Sequence, residues 1–172
     1  TLLAATADPE RLVGWLDEHL AAMIEAITAQ GGEVLKLLGD GLLAVFPVEE
    51  PGAEAEAAAC RRALRGGEAA QAANAALLAR RCAAGEPGLG LDVALHFGEV
   101  VYGNVGSPER LDFTVVGPAV NEASRIEGLC ATLDRSLLLS DAFARRCGRP
   151  TVSLGRHTLR GVPEPREIHA LA

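Results

Sequence analysis

Lys36 and Asp40 stand at the two ends of the stretch Lys36-Leu37-Leu38-Gly39-Asp40, and Thr114, Asn121 and Arg125 lie much later in the chain. An aspartate offers the oxygen ligands that hard cations such as Mg2+ require. Asn121 and Arg125 are four residues apart, so on a helix they project from one face and can approach the same ligand. The arginine brings a permanent charge and fixed donors to it. Each residue also has an ordinary reading. Asp-Gly is a common turn dipeptide, a lysine suits a solvated edge strand, and threonine is a good β-former. Asn121 and Arg125 could simply face water while Val120, Ala123 and Leu129 fill the buried side of their helix.

The elements that must position these groups can be read from the pattern. In GGEVLKLLGDGLLAVFP (Gly31 to Pro47), two apolar runs flank Gly39-Asp40-Gly41, which predicts a β-hairpin over residues 33–47 with Asp40 at its tip. In RLDFTVVGPAVNEASRIEGL (Arg110 to Leu129), a strand over Phe113–Val116 turns through Gly117-Pro118 into a helix over Pro118–Leu129. Before the hairpin, an Asp8 N-cap, Pro9 and an apolar stripe of Leu12, Val13, Leu16, Leu20, Met23, Ile24 and Ile27 predict a long amphipathic helix ending at Gly31-Gly32. An alanine-rich helix over residues 53–83 follows, with Gly66-Gly67 expected to kink or divide it. Leu91–His96 and Val100–Tyr102 read as strands joined into a hairpin by Gly98-Glu99. A strand at Leu137–Leu139, a short helix from Asp141 and a strand pair near residues 151–159 and 166–171 complete the chain. This order is α/β (α+β): one domain over residues 1–172, with a central, largely antiparallel sheet covered by helices.

Composition narrows the function classes. The 172 residues suffice for one domain with a substantial core, but aromatics are only 3%, so Leu, Val and Ala must build it. A net charge of -7 argues against a nucleic-acid binder or a ligand of anionic membranes. An anionic nucleotide would need a local cationic pocket and a metal. Cys60, Cys82, Cys130 and Cys147 lack CxxC or metal-ligand spacing, which fits reduced thiols and a cytoplasmic setting. The apolar runs are of strand length, too short to span a bilayer. His96, His157 and His169 alternate with apolar residues and read as packing or surface groups. Neither a GxxxxGK[ST] loop nor a GxGxxG fingerprint occurs.

The two stretches, together with ALHFGEVVYGNVGSPERLDF (Ala94 to Phe113) and LGRHTLRGVPEPREIHAL (Leu154 to Leu171), resemble the class III nucleotidyl cyclase catalytic domain, in order and over nearly the whole chain. The resemblance implies a palm-like, ferredoxin-like fold and conversion of ATP to 3',5'-cyclic AMP and pyrophosphate. It makes Asp40 a ligand in a site for two Mg2+ or Mn2+ ions, Lys36 the base-selecting donor and Thr114 a second contact to adenine. It makes Asn121 the ribose-orienting residue and Arg125 the group that stabilises the charged phosphorus. Arg110 and Arg160 are candidate phosphate contacts. Thr114 stands where many adenylyl cyclases carry aspartate, which places the chain with the class IIIb-like subgroup, several members of which respond to bicarbonate.

The family builds its sites between two catalytic domains, so a homodimer is expected, with a regulatory domain outside this segment. The family's first strand and its metal aspartate are expected upstream of Thr1, and residues 1–172 alone are expected to be inactive. Three competitors remain: a diguanylate cyclase, disfavoured by the LLGDGLL tip; a guanylyl cyclase, disfavoured by Lys36; and a non-catalytic nucleotide-binding or dimerisation module.

Overall fold

The computed structural model of the chain describes residues 9–107 and 110–172, and the side chains of these other than Pro9 and residues 105–113. The expected Asp8 cap and the segment back to Thr1 lie outside the described residues. Helix α1 (Pro9–Thr28) packs along helix α2 (Ala53–Ala83). Its stripe buries Met23 and Ile27, but Val13 is 57% exposed. His19, one turn before Met23, takes a buried place that the apolar pattern did not suggest. It is satisfied there: its Nδ1–H donates to Asn74 Oδ1 at 2.9 Å, and Asn74 Nδ2 donates to the Leu89 carbonyl at 3.0 Å.

The hairpin forms as expected from β1 (Glu33–Leu38) and β2 (Gly41–Val45). Helix α2, however, runs unbroken through Gly66-Gly67, and both glycines are buried. A Cβ on Gly66 would sit 2.7 Å from Phe46 Cζ, and one on Gly67 3.2 Å from Val93 Cγ1. These glycines therefore allow close approach of strand residues to the helix, and that contact outweighs their cost in helix propensity, about 1 kcal/mol each.

The expected hairpin about Gly98-Glu99 does not form. Strand β3 (Val93–Leu95) pairs in parallel with β6 (Leu137–Ser140), whereas β4 (Val101–Ser107) pairs antiparallel with β5 (Arg110–Val116). The β4–β5 ladder runs the full length of two seven-residue strands, while β3 has three residues to offer. Adjacent short strands carry no local signal that distinguishes these pairings.

After β5 come α3 (Pro118–Glu127), a short α4 (Cys130–Leu133) that the pattern did not reveal, then β6, α5 (Asp141–Ala144), β7 (Thr151–His157) and β8 (Arg166–Leu171). The four-stranded sheet has the order β3-β6-β8-β7, antiparallel except for β3–β6. Its faces are separated by the pleat. Leu95, Leu137, Leu139 and Leu171 pack with Cys60, Leu64 and Phe143, while Ala94, Leu138 and Ile168 pack with Ile126, Cys130 and Leu159. Helices thus cover both faces, which is why Leu137-Leu138-Leu139 is apolar without alternation. The result is the expected mixed α+β architecture of antiparallel strands covered by helices.

All four cysteines are free thiols. Burial pushes the Cys60 thiol up to about 11 and the Cys130 thiol up to about 12, which leaves them inert packing groups. No helix among the described residues is long and apolar enough to cross a membrane.

Candidate active site

The hairpin puts Asp40 at an exposed tip. Leu38 pairs with Gly41, leaving a two-residue loop, and Gly39 at φ 70 takes the left-handed conformation that the first position of such a loop requires. Further back, the register shifts between Val34 and Lys36, so Leu35 is the extra residue of a β-bulge. Bulges re-aim the side chains next to them. Lys36 follows directly and is exposed, on a strand whose Leu37 and Leu38 are also about half exposed.

Thr114 lies half-buried in β5 opposite Gly103, and β5 lies alongside β1. The fold therefore brings the strand of Lys36 beside the strand of Thr114, far apart as the two are in sequence. Glu33 and Tyr102 mark the same seam: burial, and then the Glu33 charge, push the Tyr102 phenol above its ordinary range. Arg110 opens β5, and its side chain lies outside the described residues.

Helix α3 begins at the expected Gly117-Pro118 turn. Gly117 has φ 150, and a Cβ there would lie 3.2 Å from the Glu99 carbonyl, so only glycine fits the approach. Asn121 and Arg125 are both exposed on this helix, whose buried residues are Ala119 and Ile126. Arg125 Nε donates to the Arg160 carbonyl at 3.4 Å. Arg160 is thus brought to α3 through its backbone, while its side chain is exposed. The candidate residues fall into two sets on different elements: Lys36, Asp40 and Thr114 on the two hairpins, and Asn121, Arg125 and Arg160 at α3.

Sequence reasoning passed over the groups that anchor α3. Glu122, next to Asn121, accepts two hydrogen bonds from Arg166 of β8, Nε to Oε2 at 3.2 Å and Nη2 to Oε1 at 3.1 Å. His96, just past β3, lies close to this pair, and its basicity is lowered mainly by burial. Such a contact, 44 residues apart in sequence, leaves no periodic signal.

Among the described residues, one trio could offer three metal-ligand atoms, Asp141, Glu167 and His169. It lies on α5 and β8, not on the hairpin that carries Asp40. Asp141 is already held by Arg145, with Nε to Oδ1 at 3.0 Å and Nη2 to Oδ2 at 2.6 Å. A cation therefore already occupies both oxygens, and the trio reads as an ion-pair network.

The sequence profile of the adenylate and guanylate cyclase catalytic domain matches residues 1–142. The chain belongs to this family. The cyclase domain is 32% identical over 147 residues to adenylate cyclase 1 of Rhizobium meliloti (strain 1021), a match covering 86% of the domain and 22% of that relative. It is 31% identical over 150 residues to an adenylate cyclase of Anabaena cylindrica, covering 87% of the domain and 29% of that relative. The cyclase domain therefore spans less than a third of these relatives' length. Among solved structures, the adenylyl cyclase CyaB from P. aeruginosa superposes with a TM-score of 0.81, covering 99% of the domain and 86% of that chain. Sequence identity there is 23%, so this likeness is one of fold.

Proposed function

We propose that the domain is an adenylyl cyclase that converts ATP to 3',5'-cyclic AMP and pyrophosphate at sites shared by two copies of the chain. The observation that carries this reading is the placement of Lys36 and Asp40 on one exposed hairpin, beside the strand of Thr114. Each site would take its metal carboxylate, Asp40, from one copy and its base, ribose and arginine groups, Lys36, Thr114, Asn121 and Arg125, from the other. The exposed apolar side chains support such a pairing: Leu37 and Leu38 on β1, Val101 and Tyr102 on β4 and Val116 on β5 are all at least 39% exposed. Exposed apolar side chains of this kind, including the cross-strand pair Val101 and Val116 at one end of the β4–β5 ladder, suit an interface.

In this reading Lys36 donates to an acceptor nitrogen of adenine, and the Thr114 hydroxyl accepts from the exocyclic amine. Guanine presents a donor where adenine presents that acceptor, so the lysine favours ATP. Asn121 orients the ribose. Arg125 stabilises charge on the α-phosphorus as the 3'-oxygen attacks and the bond to pyrophosphate breaks. One preorganised donor of this kind is worth roughly 3–4 kcal/mol in the transition state. Arg110 and Arg160 meet the triphosphate. No covalent intermediate is required, because positioning and charge neutralisation suffice.

Asp40 fits a hard cation: it is an oxygen donor carried clear of the strands by a tight loop. Mg2+ or Mn2+, two ions per site, would lower the pKa of the 3'-hydroxyl and neutralise the triphosphate. Asp40 supplies one carboxylate to that site. In a chain extended upstream, Asp40→Ala is expected to reduce metal-dependent cyclic AMP formation to background while leaving Tm and dimerisation unchanged. Turnover that survives the substitution would overturn the assignment.

A further inference from the structure

Helix α3 has only ten residues, Gly117 gives it no side-chain cap, and its buried residues are Ala119 and Ile126. A helix this short has little stability of its own, so tertiary contacts must set its orientation. Ile126 anchors one end in the core shared with Leu138 and Ile168. An apolar knob fixes depth, but it resists rotation about the helix axis weakly. The Glu122–Arg166 pair supplies directional contacts. Both guanidinium–carboxylate bonds are within 3.2 Å, and the Glu122 side chain is only 14% exposed. A two-point bond of this type fixes angle as well as distance.

One further contact acts on the same turn. Arg125, three residues on, is tied to the Arg160 carbonyl at 3.4 Å, so α3 is held to both ends of the segment from Arg160 to Arg166. Burial lowers the basicity of the nearby His96, whose Nδ1 has no hydrogen-bond partner among the described residues.

We infer that Glu122 and Arg166 form a clamp that sets the rotation of α3, and so aims Asn121 and Arg125 together, without either clamp residue touching the nucleotide. The inference rests on the adenylyl cyclase reading. The clamp acts through Arg125, whose work is on transition-state charge, so its loss should lower kcat more than it raises KM. Displacement of a catalytic group by about 1 Å costs on the order of 100-fold.

The test uses Glu122→Gln, Arg166→Gln and the charge-swapped pair Glu122→Arg with Arg166→Glu, in the chain extended upstream. Steady-state kinetics with ATP and Mn2+ are read beside hydrogen exchange of the α3 amides. Each single variant is expected to lose about 10- to 100-fold in kcat with KM for ATP within about threefold, and to exchange faster in α3. The swapped pair is expected to recover at least tenfold over the weaker single variant. Unchanged kcat in both single variants, or a fall in Tm with kcat kept, overturns the clamp. If the parent protein forms no cyclic nucleotide, the cyclase reading fails on its own. In that case α3 exchange still decides the clamp: protection unchanged in both single variants overturns it.

Discussion

Lys36 owes its setting to one extra residue. The bulge at Leu35 interrupts the β1–β2 ladder immediately before it, so the lysine is aimed by backbone geometry rather than by packing, and its exposed side chain is available to a ligand. Lys36→Glu should therefore change chemistry without unfolding the hairpin. It exchanges a donor for an acceptor against adenine's ring nitrogen, and an unpaired polar group in a closed site is costly. The expected result is a fall of at least about tenfold in kcat/KM for ATP relative to that for GTP, measured with both nucleotides in parallel. An unaltered ratio would show that another residue reads the base. The placement of these candidate residues on their elements was legible because the motifs are contiguous: Asp40 and Lys36 share one hairpin, and Asn121 and Arg125 share one helix. Glu122 and Arg166 were not, because neither has a neighbour in sequence that implies the other.

At the scale of elements, glycine shows how the same residue type takes opposite roles. A Cβ added to Gly14, exposed in the second turn of α1, would meet nothing within 4 Å, whereas one on Gly66 in α2 would face Phe46 at 2.7 Å. Gly14→Ala is expected to stabilise the domain by about 0.5–1 kcal/mol through helix propensity alone. Gly66→Val is expected to destabilise it by about 1–3 kcal/mol, because Phe46 packs against the core of Cys60, Leu64 and Leu139 and has little room to retreat. Urea denaturation of the two variants beside the parent would check both signs, and equal effects would contradict the packing described. Helix α2 itself was legible from its alanine-rich composition. Its continuity through Gly66-Gly67 was not, since a sequence reading weighs propensity and cannot see the strand residues that need the space.

For the whole molecule, a site that takes its metal carboxylate from one copy and its base, ribose and arginine groups from the other is testable. Asp40→Ala and Arg125→Ala disable different halves, so two inactive proteins, mixed and allowed to exchange subunits, should form heterodimers with one intact site each and regain partial cyclic AMP synthesis. Absence of activity after demonstrated exchange would place each site within one chain. The amino-acid order alone determined the kinds of element, the hairpin tip at Gly39-Asp40, the helix start at Gly117-Pro118 and the motifs of the family, since each depends on residues within a few positions of one another. Only the tertiary structure decided that β3 pairs with β6 rather than β4, that His19 is a buried partner of Asn74, and that Arg166 grips Glu122. Those choices depend on which surfaces meet across tens of residues, and competition among long-range contacts leaves no local periodicity to read.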